Sequence, residues 1–269
     1  MYLVFEIGGT NMRIGVSSNG DTIDSHKKIP TPKEFNQGIQ TLKQIADELS
    51  NEKITGIAGG IAGPLDKDKT MLVSSPHING WVQKPLKSEL ERIFGCRVIL
   101  ENDTVLGGIG EAVKGAGVNK KVVAYIAIGT GVGGKRIVGG KIYADESNFE
   151  PGHQIIIPDG NLCKCGGRGH LETYVAGAYH ERNKTNWDEV AKYLAIGLNN
   201  TIVHWSPDIV VLGGSVMKSI PLDKVKTCLK ESLTIFPAPP ELALATLGDE
   251  SGLIGALQLI YFSTLFISF

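Results

Sequence analysis

Tyr2–Ile7 is a short apolar run broken only by Glu6 and stopped by Gly8-Gly9, and an alternating pattern resumes over Arg13–Ser17. Together they predict a β-hairpin with a glycine-rich tip. Phe35, Ile39, Leu42, Ile45, Ala46 and Leu49 recur at helical spacing and predict one amphipathic helix. Ile54–Ile61 and Arg97–Leu100 read as buried strands, with a shorter helix around Leu86–Phe94 between them.

The opening pattern then returns. Lys121–Ile128 is an apolar strand, Gly129–Gly134 a glycine-rich turn, and Arg136–Val138 leads back out. Ile7-Gly8-Gly9-Thr10 and Ile128-Gly129-Thr130-Gly131 hold equivalent places in two similar units, which points to duplicated α/β lobes. A helix follows from Asp188 through Trp205, then a strand Asp208–Leu212 with Gly213-Gly214, a helix near Leu222–Leu233, a strand Leu242–Thr246 and a terminal helix. No long low-complexity linker intervenes, so a tight hinge is expected near Glu101–Asp103.

Composition and the chain's ends change the picture in five places. The 34 glycines in 269 residues exceed the usual share, and their clustering suggests close approach of backbone to a ligand. A net charge of −1 argues against nucleic-acid or membrane-surface partners. Four cysteines are too few for a disulfide scaffold, and the Cys163-x-Cys165 pair favours metal binding over cross-linking. Leu253–Phe269 carries no charge, but it holds Gly255 and Gln258 and lacks basic flanks, so a buried terminal helix is expected rather than a membrane anchor. Glu6 and the early glycines do not fit a secretory leader.

Three constellations carry candidate chemistry. The two hairpin tips would turn main-chain N–H groups and the Thr10 and Thr130 hydroxyls toward phosphate; read singly, each is equally a tight hairpin. Neither the Walker A pattern nor GxGxxG follows the first strand. Glu101-Asn102-Asp103 stands where a strand gives way to a helix, a position for a general base or, more simply, for an Asp helix cap. His153, Cys163, Cys165 and His170 lie within eighteen residues and offer two sulfurs and two imidazoles to Zn²⁺; a reduced thiol pair beside incidental histidines is the alternative. Glu150 and Glu172 bracket this cluster and suit sugar hydroxyls. His26, His77, His180 and His204 have no such company and read as surface or core residues.

Taken in order, Ile7–Thr10, Asn79-Gly80-Trp81, Glu101–Asp103, Gly129–Gly134, the Glu150–His153 box, the Cys163–Glu172 box, Pro207–Gly214 and Leu247–Ala256 resemble the ROK family of sugar kinases and sugar-responsive repressors. The resemblance implies an actin-like ATPase (ribonuclease H-like) fold: a small lobe of residues 1–102 plus a helix of about 253–269, a large lobe of 103–252 with a zinc-box insertion, and a central cleft whose closure excludes water. It implies Asp103 as general base for a hexose 6-hydroxyl. It places Asn79, Asn102, Glu150, His153 and Glu172 on the sugar, and Gly8, Gly9, Thr10, Gly129, Thr130 and Gly131 on the ATP phosphates. Gly213 and Gly214 would lie against the adenosine, Glu6 would serve the Mg²⁺ that enters with ATP, and His153, Cys163, Cys165 and His170 would hold structural Zn²⁺.

The chain departs from the family pattern at several points. Glu6 replaces the usual Asp and reaches one methylene farther. Lys135 replaces a usual glycine after the second phosphate loop, where it could touch phosphate or lie in solvent, and solvent is the expectation. His170 stands where a third cysteine is usual, and the stretch from Glu172 to Asp208 is shortened, which trims a helical layer often used in dimerisation and leaves a homodimer open. The Glu150-Pro151-Gly152-His153 form occurs among glucose, N-acetylglucosamine and N-acetylmannosamine kinases of the family, and glucose is the leading expectation. A sugar-sensing repressor is disfavoured by the near-zero charge and by a first strand that starts at Met1. A non-catalytic sugar-binding protein is the remaining class, against which the retained Asp103 argues. The resemblance implies a cytoplasmic enzyme whose partners are a small sugar and ATP, with no nucleic acid and no membrane.

Overall fold

The structure is a computed structural model that describes all residues except 76–77, 143–148, 182 and 266–269, and not the side chains of 263–265. His77 and the end of the apolar tail therefore lie outside the described residues. The chain divides into two compact units, Met1–Gly110 with Leu247–Phe269, and Glu111–Thr246.

The first unit is built on a sheet of order β3-β2-β1-β4-β5. Strands β1 (Tyr2–Ile7) and β2 (Asn11–Ser17) form the expected hairpin, and β3 (Ser25–Pro30) extends it antiparallel. β4 (Gly56–Ile61) and β5 (Val98–Asn102) then run parallel to β1. The edge strand β3 has no apolar alternation to announce it. It carries His26, Lys27 and Lys28, and charge on an edge blocks pairing with another chain. Helix α1 (Phe35–Leu49) buries Phe35, Ile39, Leu42, Ile45 and Ala46, the face its spacing predicts. α2 (Leu86–Phe94) stops at Gly95, whose φ of 65° suits glycine.

Helix α3 (Asp103–Lys114) and the C-terminal helix meet backbone to backbone. A Cβ at Gly110 would stand 2.1 Å from the Ser251 carbonyl, and one at Gly255 would stand 2.0 Å from that of Leu106. The C-terminal helix buries Leu253, Ala256, Leu257 and Ile260, as a terminal core helix should. Among the described residues no helix is long and apolar enough to cross a membrane.

The second unit repeats the topology with order β10-β9-β6-β7-β8. β6 (Val122–Ile128) and β7 (Val132–Val138) form a hairpin, β8 (Lys141–Ile142) pairs with β7, and β9 (Ile209–Gly213) and β10 (Glu241–Leu244) add parallel strands. The short α4 (Glu172–Val175), α5 (Trp187–Trp205) and α6 (Leu222–Ser232) supply its helices; the C-terminal helix is α7 (Ser251–Leu265). Asn186 caps α5 by accepting from the Glu189 N–H. Fully buried Glu111 ties the unit's two ends, its carboxylate accepting from the Ala116 and Thr246 N–H groups at 3.0 and 2.9 Å.

Candidate functional site

In the first unit the candidate residues gather at the C-terminal ends of three parallel strands. Register aligns Glu6 with Gly60 and Glu101, and Ile7 with Ile61 and Asn102. Open α/β sheets present ligands at this edge. The Gly8-Gly9-Thr10 tip is closed by the Gly8 N–H on the Asn11 carbonyl at 2.9 Å. It is braced by Thr31, whose hydroxyl donates to the Gly8 carbonyl at 2.7 Å and whose N–H donates to that of Thr10 at 2.9 Å. Gly9 and Thr10 are exposed.

Asp103 opens α3 directly after β5, and Gly60 makes room for it: a Cβ at position 60 would lie 3.2 Å from the Asp103 Cα. The Asp103 carboxylate accepts the Thr104 N–H at 2.7 Å. Burial nevertheless pushes its pKa above the ordinary value. Capping falls mainly to Asn102, whose Oδ1 accepts the Thr104 and Val105 N–H groups at 3.0 and 3.3 Å while its Nδ2 donates to the Gly63 carbonyl at 3.0 Å. Buried Glu101 accepts from the Lys69 ammonium at 2.5 Å and from the Asn102 N–H at 2.9 Å. Asn79 is exposed at the start of a single helical turn anchored by Trp81, which is buried edge-on to Phe35 and donates from its indole to the Pro32 carbonyl at 2.8 Å.

Glu6 is a strongly perturbed carboxylate. Burial drives its pKa from 4.5 to about 7, opposed by Arg13 and reinforced by the charges of Asp103 and Asp249. Between pH 4.5 and about 7 the folded chain retains a proton that the unfolded chain has released, so stability falls as pH rises through that window and levels off above it. Glu6→Gln is therefore expected to be more stable than the native protein by about 3 kcal/mol near pH 8, with the difference vanishing toward pH 4.5. Denaturant unfolding at the two pH values checks this.

In the second unit the Gly129-Thr130-Gly131 tip is closed by the Gly129 N–H on the Gly131 carbonyl at 2.9 Å. Gly177 and Ala178 donate to the Gly129 and Thr130 carbonyls at 2.8 and 3.1 Å. Gly213 and Gly214 press on β6: Cβ atoms there would meet the Tyr125 hydroxyl at 2.5 Å and the Ile128 carbonyl at 2.2 Å, and Gly214 has a φ of 90°. Glu172 reaches the same tip, with an oxygen 3.4 Å from where a Gly131 Cβ would stand.

Glu172 also borders the four-residue cluster, accepting from the Cys163 thiol at 2.9 Å. His153, Cys163, Cys165 and His170 bring one donor atom each within 4.8 Å of one another. The two Nδ1 atoms are 3.2 Å apart, Cys165 Sγ lies 3.4 Å from His170 Nδ1, and Cys163 Sγ lies 3.9 Å from His153 Nδ1. Tetrahedral sulfur and nitrogen donors around one zinc ion stand roughly 3.3–3.8 Å apart. Backbone N–H groups of Cys165 and Gly167 donate to the two sulfurs at 3.4 and 3.5 Å, which suits thiolates. Without a cation, burial and the Glu172 carboxylate push the Cys163 thiol up, and coordination would reverse that. The donors fit the ion.

Glu150 precedes the turn Pro151–His153, and desolvation of its carboxyl raises its pKa, partly offset by His153 and reinforced by Glu172. Lys135 corrects an expectation. It is 5% exposed rather than in solvent, and its ammonium stands 5.3 Å above the Phe149 ring. Strand alternation puts Lys135 on the same face of β7 as buried Ile137, so its stem must pack.

The sequence profile of the ROK family matches residues 2–189 and 178–261. The chain belongs to the ROK family. It is similar to a ROK hexokinase from Thermus thermophilus, with a TM-score of 0.88 at 28% identity over 98% of this chain and 99% of the other. A ROK glucokinase from Streptomyces griseus in complex with glucose and AMPPNP gives a TM-score of 0.80 at 25% identity, over 96% and 98% of the two chains. The N-acetyl-D-glucosamine kinase of Escherichia fergusonii is 29% identical over 95% of this chain and 98% of its own. Two mixed sheets with these likenesses give the ROK chain the actin-like ATPase fold. Arg13 and Lys69, which pair with Glu6 and Glu101, and Asp249, which joins Arg13 to Lys28, were not legible as site residues; for Arg13 the one signal was a charge between apolar Met12 and Ile14.

Proposed function

We propose that this ROK chain is an ATP-dependent hexose kinase that phosphorylates the sugar 6-hydroxyl, with glucose as its preferred substrate. The observation that carries the reading is Asp103, a desolvated carboxylate at the strand edge that also bears the first glycine tip. The 6-hydroxyl oxygen attacks the γ-phosphorus, the bond to the bridging oxygen breaks, ADP leaves, and the hydroxyl proton passes to Asp103. Burial raises the affinity of that carboxylate for the proton.

The remaining residues bind and orient. Gly8, Gly9, Thr10, Gly129, Thr130 and Gly131 hold phosphates, Gly213 and Gly214 lie along the adenosine, and Glu6 serves the Mg²⁺ that accompanies ATP. Asn79, Asn102, Glu150, His153 and Glu172 hold the ring hydroxyls. His153, Cys163, Cys165 and His170 hold zinc, an ion that fixes this loop and does no chemistry. With Nδ1 turned to the cluster, His153 keeps Nε2–H as a donor for a hydroxyl, so one residue serves both purposes.

The similarity to an N-acetylglucosamine kinase supports a second reading, in which a 2-acetamido sugar is the substrate. A coupled ADP-release assay over glucose, mannose, fructose, N-acetylglucosamine and N-acetylmannosamine separates the two. Glucose is expected to give the highest kcat/KM; a higher value for either acetamido sugar would transfer the assignment, and ADP release that ignores every sugar would refute both.

A further inference from the structure

Arg13 interrupts an apolar strand. Met12 and Ile14 beside it are fully buried, and its own side chain retains 15% of its surface. It pairs across the hairpin with Glu6, and its guanidinium stands 3.5 Å from the Glu6 carboxylate and 2.6 Å from that of Asp249. Asp249 is held in turn by Lys28 of β3 at 2.5 Å. The guanidinium is thus fixed from one side by an anchored acid and presented to Glu6 from the other. Its Nε is buried without an acceptor, so the side chain is committed through its terminal nitrogens.

Glu6 needs such a guide. It has one more rotatable bond than aspartate, and an unguided carboxylate would sample several directions. Gly252 in the first turn of α7 limits it from one side, since a Cβ there would stand 2.6 Å from a Glu6 oxygen. The charged groups that face Glu6 are Arg13 from β2, Lys28 from β3, Asp103 from α3 and Asp249 from the turn before α7. β4 sets Gly60 in register with Glu6, and α7 brings Gly252 against its carboxylate. Of the two cations, Arg13 has the larger effect on Glu6.

We propose that Arg13 is a positioning residue for Glu6, supplying its counter-charge across the hairpin and fixing its direction, with Asp249 as the strut that immobilises the guanidinium. The functional consequence rests on the reading above, in which Glu6 serves the metal-bound phosphates. The contact itself does not.

The test follows the carbon-13 signal of Glu6 in the full chain labelled at glutamate side-chain carboxyls, assigned by its loss in Glu6→Gln. In the native protein this signal is expected to titrate near pH 7. In Arg13→Ala the midpoint should move up by about 1–3 pH units, and Arg13→Lys should restore most of it. Arg13→Gln, which keeps much of the volume without the charge, gives the same answer if the alanine variant fails to fold. In the kinase assay, the acid limb of kcat/KM, which reports the free protein, should shift up by the same spacing, and its high-pH plateau should return to within a few fold of native. An unmoved Glu6 midpoint in Arg13→Ala or Arg13→Gln, or an activity loss equal at every pH, would overturn the inference. A shifted midpoint in a protein that phosphorylates no sugar would instead uphold the Arg13 contact and sink the kinase reading.

Discussion

Replacing Asp103 with Asn lowers kcat by about 10²–10⁴-fold while the dissociation constant for the sugar changes by no more than a few fold. The asparagine keeps the acceptor oxygen for the Thr104 N–H, so the start of α3 survives. What it removes is the site for the hydroxyl proton. The size of the effect follows from general-base catalysis, and its confinement to kcat follows because proton transfer develops only in the transition state. Burial raises Asp103 and Glu6 alike, so kcat/KM should climb with pH beyond the ordinary carboxylate range. Stopped-assay kinetics at saturating ATP, with sugar binding measured separately by calorimetry, check both parts. A variant that retains native turnover removes Asp103 from the mechanism.

The second large effect concerns the metal cluster. The purified protein is expected to hold about one zinc per chain. Cys163→Ser abolishes that binding and destabilises the protein by about 3 kcal/mol or more, because loss of a metal is among the mechanisms behind the largest single-mutation effects. Cys163 is the buried member of the four, and its sulfur contacts Glu172, so the damage spreads to a proposed sugar ligand. The sugar KM should rise about tenfold or more, since outer partners and ligands fail together. His170→Cys keeps the ion, because thiolate is at least as good a donor, whereas His170→Ala loses it. Metal analysis paired with thermal melts before and after chelation distinguishes these cases. A zinc-free native protein with an unchanged melt would leave the thiol pair without a ligand.

Much of the fold was readable because its signals are local. The helical spacing from Phe35 to Leu49 and the apolar runs at β1, β4 and β6 marked elements within a residue or two of their observed ends. The recurrence of a glycine tip after the first strand of each half anticipated two similar units, and the structure adds that their sheets share one strand order. β3 escaped because an exposed edge strand needs no apolar alternation. Lys135 misled because charge suggests solvent, and only the pairing of β7 with β6 decides which face it takes. Candidate site residues next to glycines or inside the Cys163–Glu172 box were visible as sequence clusters. Lys69 and Asp249 were not, since Lys69 meets Glu101 across 32 positions and Asp249 meets Arg13 across 236, distances that no pattern in one sequence can bridge. Helix capping by Asn102 rather than by Asp103 likewise depends on geometry, because either residue type caps well.

Phosphorus-31 NMR of the native protein with glucose, ATP and Mg²⁺ tests the central claim most directly. The account predicts loss of the ATP γ resonance with matched growth of ADP and a phosphomonoester signal coupled to the two protons at the sugar's sixth carbon. Inorganic phosphate in place of the ester, or an ATP spectrum unchanged with glucose and with each of the other hexoses, would contradict it.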